Sequence, residues 1–193
     1  MVEVGVDEVG RGCLFGSVVA AAVALPETFP DDGWTSIKDS KKLSPRKRAL
    51  LDSYIRMHAI ACGIGIAMPH EIDEQNILQA TMLAMHRALD QVSTQVQISS
   101  ITVDGNYFKV YHEVPFECVV KGDTKVLSIA AASIIAKVFR DNMMKTLVTD
   151  NPDLQTYGIG TNMGYPTQAH IEAIRQHGLT DQHRKSFVVK SLL

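Results

Sequence analysis

Three β-branched segments of this chain each run into an acid. Residues 2–6 (Val-Glu-Val-Gly-Val) lead to Asp7-Glu8, residues 98–103 to Asp104-Gly105, and residues 116–120 to Lys121-Gly122-Asp123. Alternation with a period of two marks a strand, and strands that deliver carboxylates at their carboxyl ends gather them at one edge of a sheet.

The rest of the chain supplies the other layers. Gly10-Arg11-Gly12 and Gly16 flank a turn, and residues 17–25 form an apolar run long enough for a second buried strand, so the opening reads as a hairpin. Residues 26–36, with Pro26, Pro30 and Gly33, read as a loop. Ser44-Pro45 starts a helix that runs to about Ala59, and residues 60–67 read as a strand. Ile77, Leu78, Thr81, Met82, Met85 and Leu89 recur at helical spacing, which predicts an amphipathic helix ending near Gln91. The alanine-rich stretch from Ser128 to Asp141 predicts a helix able to lie close against the sheet. Beyond Asp150 come a loop, a helix over residues 168–176 and a polar tail. The class is α/β, a mixed sheet flanked by helices, read as one domain over residues 1–193.

Composition agrees: 193 residues, 46% hydrophobic and 21% charged, suffice for a sizeable core. No apolar run approaches the roughly 18 residues that span a bilayer, and no leader pattern opens the chain, so a cytoplasmic location without membrane attachment is expected. Cys13, Cys62 and Cys118 lack C-x-x-C spacing and read as free thiols. A net charge of −2 excludes binding to nucleic acid by overall basicity. A local phosphate-binding face remains at residues 38–48, where Lys41 and Lys42 are the candidates and Lys47 and Arg48 read as solvated helix face.

Asp7, Glu8, Asp104 and Asp123 are the candidates to meet at the sheet edge. Four neighbouring carboxylates repel one another unless cations intervene, and oxygen-only ligands favour magnesium or manganese over zinc. Two such ions suit phosphodiester hydrolysis. An aspartate beside glycine is more often a turn-former, so spacing alone leaves Asp104 and Asp123 open. The spacing G-x-G-x-x-x-G, followed by a strand-like segment, disfavours a dinucleotide site. Ser133 and Lys137 share a helix face but lack the other parts of a nucleophilic site. His58, His70, His86, His112 and His177 lie in no ligand spacing, while Asp90, Asp141 and Asp153 read as surface charges, caps or loop formers.

Gly5-Val6-Asp7-Glu8-Val9-Gly10-Arg11-Gly12 resembles the opening signature of ribonuclease HII, the type 2 ribonuclease H family. Other blocks agree in order: Asp39-Ser40-Lys41-Lys42-Leu43-Ser44, Glu71-Ile72-Asp73 with Asn76-Ile77-Leu78, and Val103-Asp104-Gly105. So do Lys121-Gly122-Asp123-Thr124-Lys125, Arg140-Asp141, Gly164-Tyr165-Pro166-Thr167 with His170, and His183-Arg184-Lys185-Ser186-Phe187. Two positions depart from the pattern. Cys13 stands where proline is common, and Asn162-Met163 stand where histidine and lysine are usual, which removes a cation beside Tyr165.

The resemblance implies an RNase H-like core over about residues 1–145 with a C-terminal helical extension over about 146–193. It implies Asp7, Glu8, Asp104 and Asp123 as catalytic ligands of two Mn2+ or Mg2+ ions, with no organic cofactor. Substrate contacts are implied for Gly10, Arg11, Gly12, Lys41, Lys42, Asn76, Lys125 and Tyr165. The implied substrates are RNA/DNA hybrids and duplex DNA containing embedded ribonucleotides, cut 5′ to the ribonucleotide to leave 5′-phosphate and 3′-hydroxyl ends. Substrate choice would rest on the 2′-hydroxyl. A monomer is expected. The rival readings are a non-catalytic hybrid-binding module of the same fold and a type 3 ribonuclease H, whose additional N-terminal domain finds no room ahead of Asp7.

Overall fold

The computed structural model describes residues 1–187; residues 188–193, assigned above to the C-terminal extension, lie outside the described residues. Strands β1 (Val2–Val9), β2 (Val18–Ala24) and β3 (Ala61–Ala67) form an antiparallel meander. Strands β4 (Ile98–Asp104) and β5 (Phe116–Val119) add in parallel on the other side of β1, giving the order β3-β2-β1-β4-β5. The helices are α1 (Pro45–His58), α2 (Pro69–Gln75), α3 (Ile77–Ser93), α4 (Leu127–Asp150), α5 (Ile159–Asn162) and α6 (Gln168–His177). No helix among the described residues is long and apolar enough to cross a membrane.

Helix starts follow local chemistry. Ser44 accepts from the Lys47 amide ahead of Pro45, Asn76 accepts from the Leu78 and Gln79 amides, and Thr167 accepts from the His170 amide. The short α2 opens at Pro69, where the Glu71 carboxylate turns back to the Met68 amide at 2.8 Å.

Strand β2 is buried on both faces. Val18, Ala20, Ala22 and Ala24 join Val4 and Val6 in a core against α3, while Val19, Ala21 and Val23 pack with α1 and α4 on the opposite side. Small residues bring the layers close. A Cβ on Gly65 would stand 1.9 Å from the Ala84 carbonyl oxygen, and one on Gly5 would stand 2.3 Å from the Ser128 carbonyl carbon. A third cluster joins the far half of α4 to the C-terminal helices through Leu14, Phe15, Met144, Tyr157 and Ile174.

Two segments differ from expectation. Strand β1 does not stop at the acids: Asp7 pairs with Ala21, Glu8 with Ala20 and Val9 with Val19, because the long apolar β2 holds it to the end. The loop over residues 26–36 contains a 3-10 turn, Asp32–Ser36; the segment from Pro69, to which the sequence assigns no element, is helical. Arg48 is no solvated side chain either. Its guanidinium donates to the Ser40 and Leu43 carbonyls at 3.0 and 2.7 Å and pairs with Asp141 at 3.8 Å.

Candidate active site

The parallel pairing of β1 with β4 ends at Val6 opposite Val103, and the next residue on each strand is an aspartate. Asp7 and Asp104 therefore stand side by side. Val4, Val6, Ile101 and Val103 face α3, so alternation turns both aspartates toward α4. Asp123 arrives on the 3-10 turn Gly122–Thr124, which follows Lys121 in the left-handed region at φ 57°. Asp104 Oδ1 accepts from the Gly122 amide at 2.7 Å and ties this turn to the end of β4.

Asp104 is the common neighbour of the other three acids. Burial holds the Asp7 carboxyl well above its usual range, with further repulsion from Glu8 and Asp104 opposed by the Glu8 amide and the Ser133 hydroxyl. Burial also raises Glu8; the Arg11 guanidinium, 3.4 Å away, opposes that rise and Asp104 adds to it. Asp123 is raised by burial and then by Asp104 and Asp39, against the pull of Lys41. Each of these shifts favours a proton that a nearby cation would displace. Among the described residues no three His, Cys, Asp or Glu side chains form a ready-made metal cage. What is present is an oxygen-only, half-buried set whose repulsion a hard divalent cation would relieve, and this fits Mg2+ or Mn2+.

The glycine turn lies just beyond β1. Gly10 has φ 94°, and a Cβ there would meet Arg140 Nε at 2.4 Å, so this glycine answers an internal need. Gly12 does not. Its φ is ordinary for any residue and nothing lies within 4 Å of an added Cβ, so its bare backbone faces open space. The turn is held from behind by two fully buried guanidiniums. Arg184 donates to the Gly10, Arg11 and Gly16 carbonyls at 2.7, 2.9 and 2.8 Å, and Arg140 to those of Ser17, Met163 and Phe15 at 3.0, 2.8 and 3.2 Å.

The remaining predicted contacts are spread around this centre. Lys41 and Lys42 are exposed on a 3-10 turn, Ser40–Lys42, anchored by the buried Ser40 hydroxyl 2.8 Å from that of Ser133 on α4. Lys125 follows Asp123 and donates to the Val120 carbonyl at 2.8 Å. Asn76 has its side-chain oxygen committed to capping α3. Tyr165 exposes 38% of its surface, with Lys137 Nζ 5.9 Å from its ring centroid. A cation thus stands near Tyr165 despite the Asn162-Met163 departure, and Asn162 Oδ1 accepts from the Gly164 amide at 2.8 Å to pin the loop. Ser133 and Lys137 are no nucleophilic pair: the first bonds Ser40 and the second pairs with Asp141 at 2.7 Å.

The roles of Arg140 and Arg184 were not read from the sequence. A signal existed for Arg140, since Ser133, Ala136, Arg140 and Met144 recur at helical spacing on a buried stripe, and a guanidinium there must find carbonyls.

A family model described as Ribonuclease HII matches residues 4–190. The chain belongs to the ribonuclease HII family. The ribonuclease HII of Parabacteroides distasonis is 50% identical over 188 residues, covering 97% of this chain and 90% of that protein. The crystal structure of ribonuclease H2 from Pyrococcus horikoshii OT3 superposes with a TM-score of 0.77 at 26% identity, over 97% of this chain and 94% of that one. Bst-RNase HIII in complex with Mn2+ shares the fold, with a TM-score of 0.78 at 19% identity over 97% of this chain and 67% of its own. Ribonuclease HII is a metal-dependent hydrolase family of type 2 ribonucleases H, and its membership and fold support endonuclease action on RNA/DNA hybrids. The α/β fold with a C-terminal helical region is that of these neighbours.

Proposed function

We propose that this protein cuts the RNA strand of RNA/DNA hybrids and incises duplex DNA 5′ to embedded ribonucleotides, leaving 5′-phosphate and 3′-hydroxyl ends. The observation that carries this reading is the side-by-side placement of Asp7 and Asp104, with Glu8 and Asp123 adjoining, in surroundings that disfavour their uncompensated charge. These four acids would hold two divalent ions, Mg2+ or Mn2+. When bound, such a pair supplies an activated water and stabilises the leaving oxygen of an in-line displacement.

The chain's own residues bind and orient the substrate. Gly12 presents backbone to open space, where a ribose 2′-hydroxyl can approach, and the exposed Tyr165 ring offers a face for the adjoining sugar. Arg11, Lys41, Lys42 and Lys125 would contact phosphates, and Asn76, whose side-chain oxygen caps α3, would donate through its amide. The protein acts as a monomer.

The test is cleavage of a labelled duplex carrying one ribonucleotide, with Mn2+, Mg2+ or chelator. Metal-dependent incision 5′ to the ribonucleotide is expected, and Asp104→Asn should lower the rate by at least about a hundredfold, since it alters the carboxylate shared by the other three. An intact duplex after incubation with folded protein and metal would refute the reading.

A further inference from the structure

Two elements on which the proposed function rests, the glycine turn and the loop bearing Tyr165, converge on one backbone group. The Met163 carbonyl accepts from Arg140 at 2.8 Å and from the Cys13 thiol at 3.7 Å. Arg140 is at the same time bonded to the Phe15 and Ser17 carbonyls, so one guanidinium spans both elements. Cys13 is wholly buried, and the Met163 carbonyl that its thiol meets lies two residues before Tyr165. The thiol and the Arg140 guanidinium thus share one carbonyl at the base of the loop that carries the ring. Burial raises the Cys13 thiol and keeps that proton in place.

The loop is fitted to the turn elsewhere too. The Leu14 amide donates to the Gly164 carbonyl at 2.9 Å, and a Cβ on Gly164, whose φ is 85°, would meet the Phe15 carbonyl oxygen at 2.6 Å.

We propose that Cys13 and Arg140 are positioning residues which, through the Met163 carbonyl, fix the attitude of Tyr165 relative to the glycine turn and so set selectivity for an isolated ribonucleotide. Neither touches the substrate. An isolated ribonucleotide offers a single 2′-hydroxyl, so the turn and the ring must engage it in one register. A long hybrid offers many registers and tolerates a loose ring.

The test compares the full chain with Cys13→Ala, Cys13→Ser, Arg140→Lys, Tyr165→Ala and Cys13→Ala/Tyr165→Ala, on a duplex with one ribonucleotide and on a long hybrid. Cys13→Ala should raise KM for the single ribonucleotide about tenfold, the effect of one lost hydrogen bond, and leave kcat on the long hybrid unchanged. Cys13→Ser should recover most of the loss because it keeps donor and acceptor. Arg140→Lys, which retains the charge without the three-carbonyl grip, should shift the same ratio. In the Tyr165→Ala background, Cys13→Ala should add nothing.

Equal losses on both substrates, unchanged selectivity in Cys13→Ala, or a further selectivity loss in the double variant would each overturn the proposal. Failure of the unaltered protein to incise either substrate would instead overturn the functional reading beneath it.

Discussion

His183 and His170 show how completely a buried residue can be committed by its neighbours. The Thr180 amide donates to His183 Nδ1 at 2.9 Å, so that nitrogen carries no proton and Nε2 must. Nε2 then donates to His170 Nε2 at 3.2 Å, and His170 Nδ1 donates to the Tyr165 carbonyl at 2.9 Å. A second proton on His183 would face the Thr180 N–H. Burial, and then His170, push the His183 imidazole down to about 4. Between about pH 4 and 6.5 the unfolded chain binds a proton that the folded one refuses, so stability rises with pH across that window and is complete above it. The expected cost at the acid end is on the order of 3 kcal/mol. Urea denaturation of the parent and His183→Phe from pH 4 to 7 would isolate it, the variant showing a flatter profile than the parent. None of this was legible in the sequence, where His183 is a lone histidine whose partners lie 3 and 13 residues away. Asp7 and Glu8 were legible because a strand pattern that ends in two acids is itself unusual.

At the scale of elements, glycine and alanine decide how near the helices come. Gly63 and Gly65 on β3 lie under Ala84 and Ala88 on α3, and Cβ atoms there would stand 2.1 and 1.9 Å from the carbonyl oxygens of Ala88 and Ala84. Gly65→Ala must push α3 off the sheet. The expected loss is about 3 kcal/mol, at the upper end for overpacking, read as a lower denaturation midpoint with an unchanged slope. Helices α1, α3 and α4 were readable from caps and spacing. The seven-residue α2 and four-residue α5 were not, since neither is long enough to repeat an apolar stripe. The length of β1 was misread for a related reason: pairing with β2 carries the strand through polar residues that interrupt its own pattern.

For the molecule as a whole, the four acids are a standing source of instability which cations should relieve. At neutral pH, Mg2+ or Mn2+ at about a hundred times its dissociation constant should add about 2.7 kcal/mol, or roughly 5–10 °C in Tm. Asp104→Asn should raise the metal-free Tm and shrink that gain; scanning calorimetry with and without chelator reads both. An unaltered Tm in saturating metal would count against the ligand set. The mixed sheet followed from the order of patterned segments and the helical extension from the family resemblance, but the grip of the C-terminal segment on the glycine turn did not, because Arg184 lies outside any helix or strand whose period could mark it as buried. That grip has a temporal consequence. Arg184 is translated 174 residues after the Gly10 carbonyl it holds, so a chain still on the ribosome displays its acids before the turn beside them is set. The clamp on the glycine turn thus waits on synthesis through Arg184, long after Gly10 itself has been made.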